Sequence, residues 1–418
     1  MRSPRTAVWL LAFALIGLCR PDCCMAQEWS RFRGPHGQGV VVLDLPTTFT
    51  EKNVTWRVEV GGTGHSSPVL WGDLLFLTRV AEAKSAREVV CYAASTGKEV
   101  WSYECRFDAH KQHKLNSFAA ATAAVDELGV YVMWTSGEKL VAMAIDHKGK
   151  LLWESELGAY YAQHGSGNSP VVHGEMVFIA SENEGEDCFL MALDRKTGKR
   201  AWREDLAKSP RWACYSPPFF FQPPKGKAVM LIASAAHGLT AFEAATGKVR
   251  WHANPGFKNR FVAVPVLSGN KLLVNTGSGN SGKECVVFEV SEDAATEPEI
   301  SFRLRRGLPY VPSAIAVGGR FFLFADSGFA SCIDASSGDE LWRERIDGKF
   351  FSSPVSNGES IYICDREGRL WTFSKEKFEV LGSFDLGAPI CATPALARGA
   401  MFVRTAHELI RLERVASK

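Results

Sequence analysis

Four side chains with the means to hold a ligand stand at matching places in widely separated parts of the chain: His65, His164, Tyr215 and Arg260. Each lies a few positions ahead of a small residue and a proline, as in Ser67-Pro68, Ser169-Pro170, Pro217-Pro218 and Val264-Pro265. An arginine can grip an anion through two parallel N–H bonds. A tyrosine offers a stacking face and a hydroxyl, and a histidine can donate, accept or ligate. Together they would suit a carboxylate, carried by a small molecule or by an acidic peptide. Tyr161, Trp212, Tyr310 and Phe350 occupy comparable positions and add aromatic surface. The alternative is that all of these are ordinary loop residues packing a rim. Only a closed repeat fold could bring such distant residues together.

Other chemistry is poorly signalled. No G-x-S-x-G elbow occurs, and neither C-x-x-C nor C-x-x-C-H is present. His110 and His113, three apart in the polar stretch Asp108–Asn116, could share a metal if helical, but read as part of a solvated loop. Glu182–Asp187 is rich in acids and reads as a solvated hairpin tip rather than a calcium loop. Gly277-Ser-Gly279-Asn-Ser-Gly282 has no helix after it and reads as a hairpin loop, not a phosphate cradle. Cys91, Cys188, Cys285, Cys332 and Cys364 sit in apolar strand-like runs, which predicts free, buried thiols.

The elements that would position these residues are repeats. Tyr92-Ala-Ala-Ser-Thr-Gly97-Lys-Glu-Val-Trp101 recurs around Gly149 and Trp153, Gly198 and Trp202, Gly247 and Trp251, and Gly338 and Trp342. This is a hairpin: a strand ends at a small and an acidic residue, glycine supplies the tight turn, and a second strand delivers the tryptophan. Five copies at periods of roughly 40 to 52 residues are a strong repeat signal. A second mark opens each unit, at Pro68, Thr122, Pro170, Pro218, Pro265, Ser313, Pro354 and Pro394, and an apolar strand follows each. Eight openings predict an all-β, eight-bladed propeller of four-stranded antiparallel blades. Phe302 and Phe384 stand in for tryptophan in two degenerate copies, the first behind the irregular stretch Ser291–Ile300. The last unit is one strand short, while Asn53–Val60, bearing Trp56, is a lone strand before the first. The ring is therefore expected to close through this N-terminal strand, which leaves no open sheet edge between first and last blades.

Residues 1–26 read as a cleaved export signal: Arg2 and Arg5, the apolar run Ala7–Leu18, and a small-residue site before Gln27. Residues 27–50 would be an N-terminal extension and 51–418 the propeller. Loss of the leader leaves 45 basic and 45 acidic side chains. That balance gives no field for nucleic acid or an anionic membrane, and no later segment is long and apolar enough to span a bilayer. A periplasmic or secreted protein follows.

The A-x-D-x-x-T-G-K-x-x-W sentence resembles the tryptophan-docking repeat of pyrroloquinoline quinone (PQQ) type eight-bladed propellers over roughly residues 51–418, and Trp29-Ser-Arg-Phe-Arg-Gly34-Pro35 resembles the start of many secreted PQQ-repeat proteins. The resemblance implies that Trp56, Trp101, Trp153, Trp202, Trp251 and Trp342 dock against neighbouring blades. It also implies two functions: a non-catalytic binding or scaffolding module of the cell envelope, like the lipoprotein assembly factor of the outer-membrane β-barrel insertion machinery, or a PQQ-dependent alcohol or sugar dehydrogenase. The enzymes of this type hold PQQ with calcium and often carry adjacent cysteines, and residues 27–418 have no adjacent cysteine pair. The expectation is the binding module, with an envelope protein or small ligand held at a channel mouth by His65, His164, Tyr215 and Arg260.

Overall fold

The computed structural model describes residues 28–81, 86–209, 211–279 and 281–415; the expected leader lies outside them. Within them the strands form eight separate four-stranded antiparallel sheets. The inner strands are short: Val69–Trp71, Ala124–Val125, Val171–His173, Phe219–Phe221, Val266–Ser268, Ile315–Val317, Val355–Ser356 and Ala395–Ala397. They define blades 1 to 8. The two middle strands of each blade are packed on both faces, which is why they read as continuous apolar runs such as Val130–Met133 and Phe321–Phe324. Outer strands have one face in water, and Glu99–Arg106 accordingly alternates exposed with half-buried residues over most of its length.

The expected closure is present. Val54–Glu59 pairs antiparallel with Glu408–Glu413 as the outer strand of blade 8, with Arg57 opposite Ile410. Asn53 ties the junction by donating its side-chain amide to the Glu413 carbonyl, 3.0 Å away.

The tryptophans join blades. The indole N–H of Trp56 donates to the Ala94 carbonyl, Trp101 to His147, Trp153 to Arg195, Trp202 to Ala244 and Trp251 to Ala294, all at 2.9–3.1 Å and all in the following blade. Gly198 has φ +68°, and a Cβ there would lie 2.5 Å from the Trp153 ring. Glycine in the repeat thus answers both a turn and a docking requirement. Trp153 and Trp251 are buried, and the other four repeat tryptophans are half-buried.

Phe302 docks as a substitute, its ring lying under Gly338 of blade 6. Phe384 does not. The bulge between Thr372 and Phe373 places Gly382, opposite Thr372, at the register where other blades carry tryptophan. A Cβ on Gly382 would lie 2.8 Å from the Thr47 carbonyl oxygen. The chain at Thr47–Thr48 fills this seam because blade 8, built from both ends of the chain, has no hairpin turn to receive an aromatic ring.

The opening marks acquire a physical meaning as a belt of hydroxyls around the channel. The backbone N–H of Ser67 donates to Thr122 Oγ1, Thr122 to Ser169 Oγ, Val264 to Ser313 Oγ, Ser313 to Ser353 Oγ, Ser353 to Thr393 Oγ1, and Thr393 to Ser67 Oγ, at 2.9–3.0 Å. The belt breaks at blade 4. Pro217 stands at the equivalent position and has neither an N–H to give nor a hydroxyl to receive with.

Residues 28–41 cross one end of the channel, on the side of the turns between first and second strands. Trp29 exchanges backbone hydrogen bonds with Leu70 of blade 1, and the Ser30 carbonyl accepts from Val125 of blade 2. The Gln38 side chain caps blade 5, donating to the Pro265 carbonyl and accepting from the Leu267 N–H. Gly39 and Val41 bracket Ser356 of blade 7. Arg31 and Phe32 pack onto Ser169, Pro217 and Val264, across the break in the belt. Trp29 is fully buried. The segment is a plug that satisfies inner-edge backbone groups otherwise left facing the channel.

Candidate functional site at the open mouth of the channel

With one end plugged, the channel is a cul-de-sac. Its cavity of about 130 Å³ is lined from all eight blades, by Ser67, Thr122, Ser169, Pro217, Val262, Val311, Phe351 and Cys391 among others, with Phe32 reaching in from the plug. His65 and Tyr215 line the same space. The loops entering the inner strands form its open mouth.

The structure gathers three of the four sequence-selected residues on one side. Arg260 is 2% exposed, fixed in the strand pairing of blade 5 by a bridge to Gly277, and its guanidinium stacks over Trp212 at 4.7 Å. It lies close enough to His164, Tyr215 and Tyr310 to act on each. Burial lowers the His164 pKa below the usual imidazole range, and the charge of Arg260 adds to the effect. Burial likewise raises the Tyr215 hydroxyl well above an ordinary phenol, opposed by Arg260. At neutral pH this side therefore presents one fixed cation, a neutral imidazole and neutral phenols. Arg260 Nε, Tyr215 Oη and His164 Nδ1 are buried with no hydrogen-bond partner among the described residues. Unpaired buried donors of this kind are costly unless something else meets them.

His65 lies on the other side, in blade 1. Burial, then Arg404 and Arg366, lower its pKa to about 4, so it is neutral at physiological pH. Of the remaining candidates, Tyr161 is exposed at the mouth, and Trp212 and Tyr310 flank Arg260. Phe350 is fully buried in the core and faces no ligand.

Residues 108–116 form a loop with no buried residue, as expected, in which His113 stacks on His164 with centroids 4.8 Å apart and His110 Nε2 meets the Thr135 hydroxyl at 2.9 Å. The acidic loop differs from its reading as solvated. In Glu182–Asp187, Glu182 and Asn183 are buried, because the Glu182 carbonyl accepts from Cys214 of blade 4 and draws the loop inward. Burial raises the Glu182 carboxyl to about 8, opposed by a hydrogen bond from Ser234. Its neighbour His237, with Nε2 3.8 Å away, is held down to about 4. Both are neutral near pH 7, so the contact is not an ion pair. The sequence hid this pair inside what looks like a surface acid run. It hid Phe32 as well, although Gly34, Gly37 and Gly39 beside Arg31 and Arg33 signal a tightly folded segment.

The cavity does not fit PQQ with calcium. Its volume falls below the roughly 300 Å³ at which pockets for larger small molecules begin. None of its lining residues is a carboxylate, whereas calcium needs several converging oxygen ligands. Ser67, Thr122, Ser169 and Thr393 already serve the belt. Among the described residues no three His, Cys, Asp or Glu side chains converge to hold a metal ion. All eight cysteines from Cys91 onward are free, and all but Cys391 are buried.

Known proteins share this architecture. The chain is 23% identical over 394 residues to the outer membrane protein assembly factor BamB of Burkholderia pseudomallei (strain K96243), covering 92% of this chain and 91% of that one. The crystal structure of BamB from Moraxella catarrhalis superposes with a TM-score of 0.62 at 13% identity, over 87% of this chain and 98% of that one. The quinohemoprotein alcohol dehydrogenase ADHIIG of Pseudomonas putida HK5 superposes with a TM-score of 0.63 at 13% identity, over 95% and 81%. The two structural likenesses are of fold and leave the choice of function open. The family model described as outer membrane protein assembly factor BamB matches residues 40–213, 186–297 and 294–381, and the chain belongs to that family.

Proposed function

We propose that the protein is an exported, non-catalytic propeller of the cell envelope that binds a partner at its open channel mouth and serves outer-membrane protein assembly. The observation that carries the reading is the plugged, narrow channel beneath a mouth bearing Arg260, His164 and Tyr215 with unpaired polar atoms. Family membership supports it. A carboxylate of the partner, from an acidic side chain or a chain terminus, suits the one fixed cation beside neutral donors. No helix among the described residues is long and apolar enough to cross a membrane.

The test is genetic. Deleting the gene in its host should lower the amount of folded outer-membrane proteins. The wild-type gene should restore them, and a gene carrying Arg260→Ala with His164→Ala should not. Unchanged outer-membrane protein levels on deletion would overturn the reading.

A further inference from the structure

The plugged face carries a second feature that the mouth does not explain. The connection between the third and fourth strands of blade 5, residues 290–298, replaces the tight glycine turn of blades 1 to 4 and 6 with a longer excursion. The neighbouring turn of blade 4, Gln222–Lys227, is also extended and carries Pro223-Pro224. The two are fastened together: the Lys225 N–H donates to the Glu292 carbonyl at 2.8 Å, and their side chains form an ion pair. Between them runs a groove of about 560 Å³.

Its floor is apolar, made by Phe221, Pro223, Pro224, Leu267 and Val290. Its walls carry Glu289, Glu292, Glu297 and Glu299, and no lysine or arginine lines it. Glu289 is paired with Lys271 and Glu292 with Lys225, which leaves Glu297 and Glu299 exposed and without an ion pair among the described residues. In a protein whose charges otherwise balance, this is a concentrated negative rim over an apolar floor.

We propose that the groove docks an extended, cationic segment of another protein, in which lysine or arginine alternates with aliphatic residues. Alternation matches an extended chain, whose successive side chains point to opposite faces. Aliphatic side chains would meet Leu267 and the two prolines, and cations would reach Glu297 and Glu299. The site is separate from the channel mouth, and its ligand has the opposite charge.

The test uses the full mature chain and a fluorescein-labelled heptapeptide alternating lysine with valine, read by anisotropy at low salt. Glu297→Gln with Glu299→Gln should weaken binding at least tenfold, and Leu267→Ser should also weaken it. Both carboxamides lie on the surface, so the fold is not threatened, and Arg260→Ala should leave this binding unchanged. A glutamate–valine heptapeptide should not bind. No binding by the wild type, equal binding of the acidic peptide, or full affinity in the double variant would overturn the proposal. So would a concentration-dependent dimer that dissociates in the double variant, since a second copy of this chain would then be the occupant.

Discussion

Thr393 of the last blade donates its backbone N–H to the Ser67 hydroxyl of the first at 3.0 Å, and so completes across the chain termini the same bond that links their neighbours. Closure thus rests on two independent layers, this belt at the channel and the strand Val54–Glu59 at the rim.

Removing one belt hydroxyl should leave a buried N–H without an acceptor, at a cost of about 1–3 kcal/mol. Ser67→Ala and Ser353→Ala should lower the melting temperature by several degrees. Ser216→Ala should not, because the Ser216 hydroxyl is buried without a partner among the described residues and lies beside the break at Pro217. Calorimetry on the three variants checks the contrast. Equal effects in all three would remove the belt as a source of stability.

Docking by tryptophan makes a two-sided prediction. Trp153→Ala should destabilise by about 3–5 kcal/mol through lost packing. Gly198→Ala should also destabilise strongly, because the new methyl would collide with the same ring in a backbone conformation that disfavours it. Denaturant titration reads both. A neutral Gly198→Ala would mean that the seam is loose.

The docking sentence was legible because tryptophan and glycine recur at fixed spacing, and a hairpin fixes register over a few residues. Phe384 misleads because it lies two residues beyond the docking position, which Gly382 occupies opposite Thr372, and only the paired strand shows it. The belt could be seen only as small residues before proline, since its bonds join residues 40 to 326 positions apart. The grouping of His164, Tyr215 and Arg260 could be anticipated from their place in the repeat. The burial of Glu182 could not, because pairing with Cys214 of the next blade decides it.

Glu182 gives a pH signature. Its folded pKa of about 8 lies above the ordinary glutamate value of 4.5, so the folded state keeps a proton that the unfolded state releases between these values. The stability it contributes is fully present below about 4.5 and is lost as pH rises toward 8, by up to ~1.4 kcal/mol per pH unit. His237, held down to about 4, acts in the opposite sense but only below about 6.5. Between pH 6.5 and 8 the Glu182 effect therefore stands apart from that of its neighbour. Glu182→Gln should flatten the fall in stability across that interval, measured by urea unfolding at several pH values. An unaltered slope would place the carboxyl in contact with solvent.

The plug should be part of the folded unit. Trp29→Ala should destabilise by about 3–5 kcal/mol, and a chain beginning after residue 41 should melt earlier and admit probes through both ends of the channel. A shortened chain as stable as the full one would make the segment a loose tail.

The central claim, a partner held at the open mouth, is tested most directly by site-specific photocrosslinking in living cells. A benzophenone side chain at Tyr161, 51% exposed on that rim, should form an adduct with a component of outer-membrane protein assembly. The adduct should vanish in the Arg260→Ala, His164→Ala background, and the same label at Val42, 85% exposed on the N-terminal segment, should not form it. No adduct from Tyr161, or one that persists at full strength in the double variant, would contradict the account.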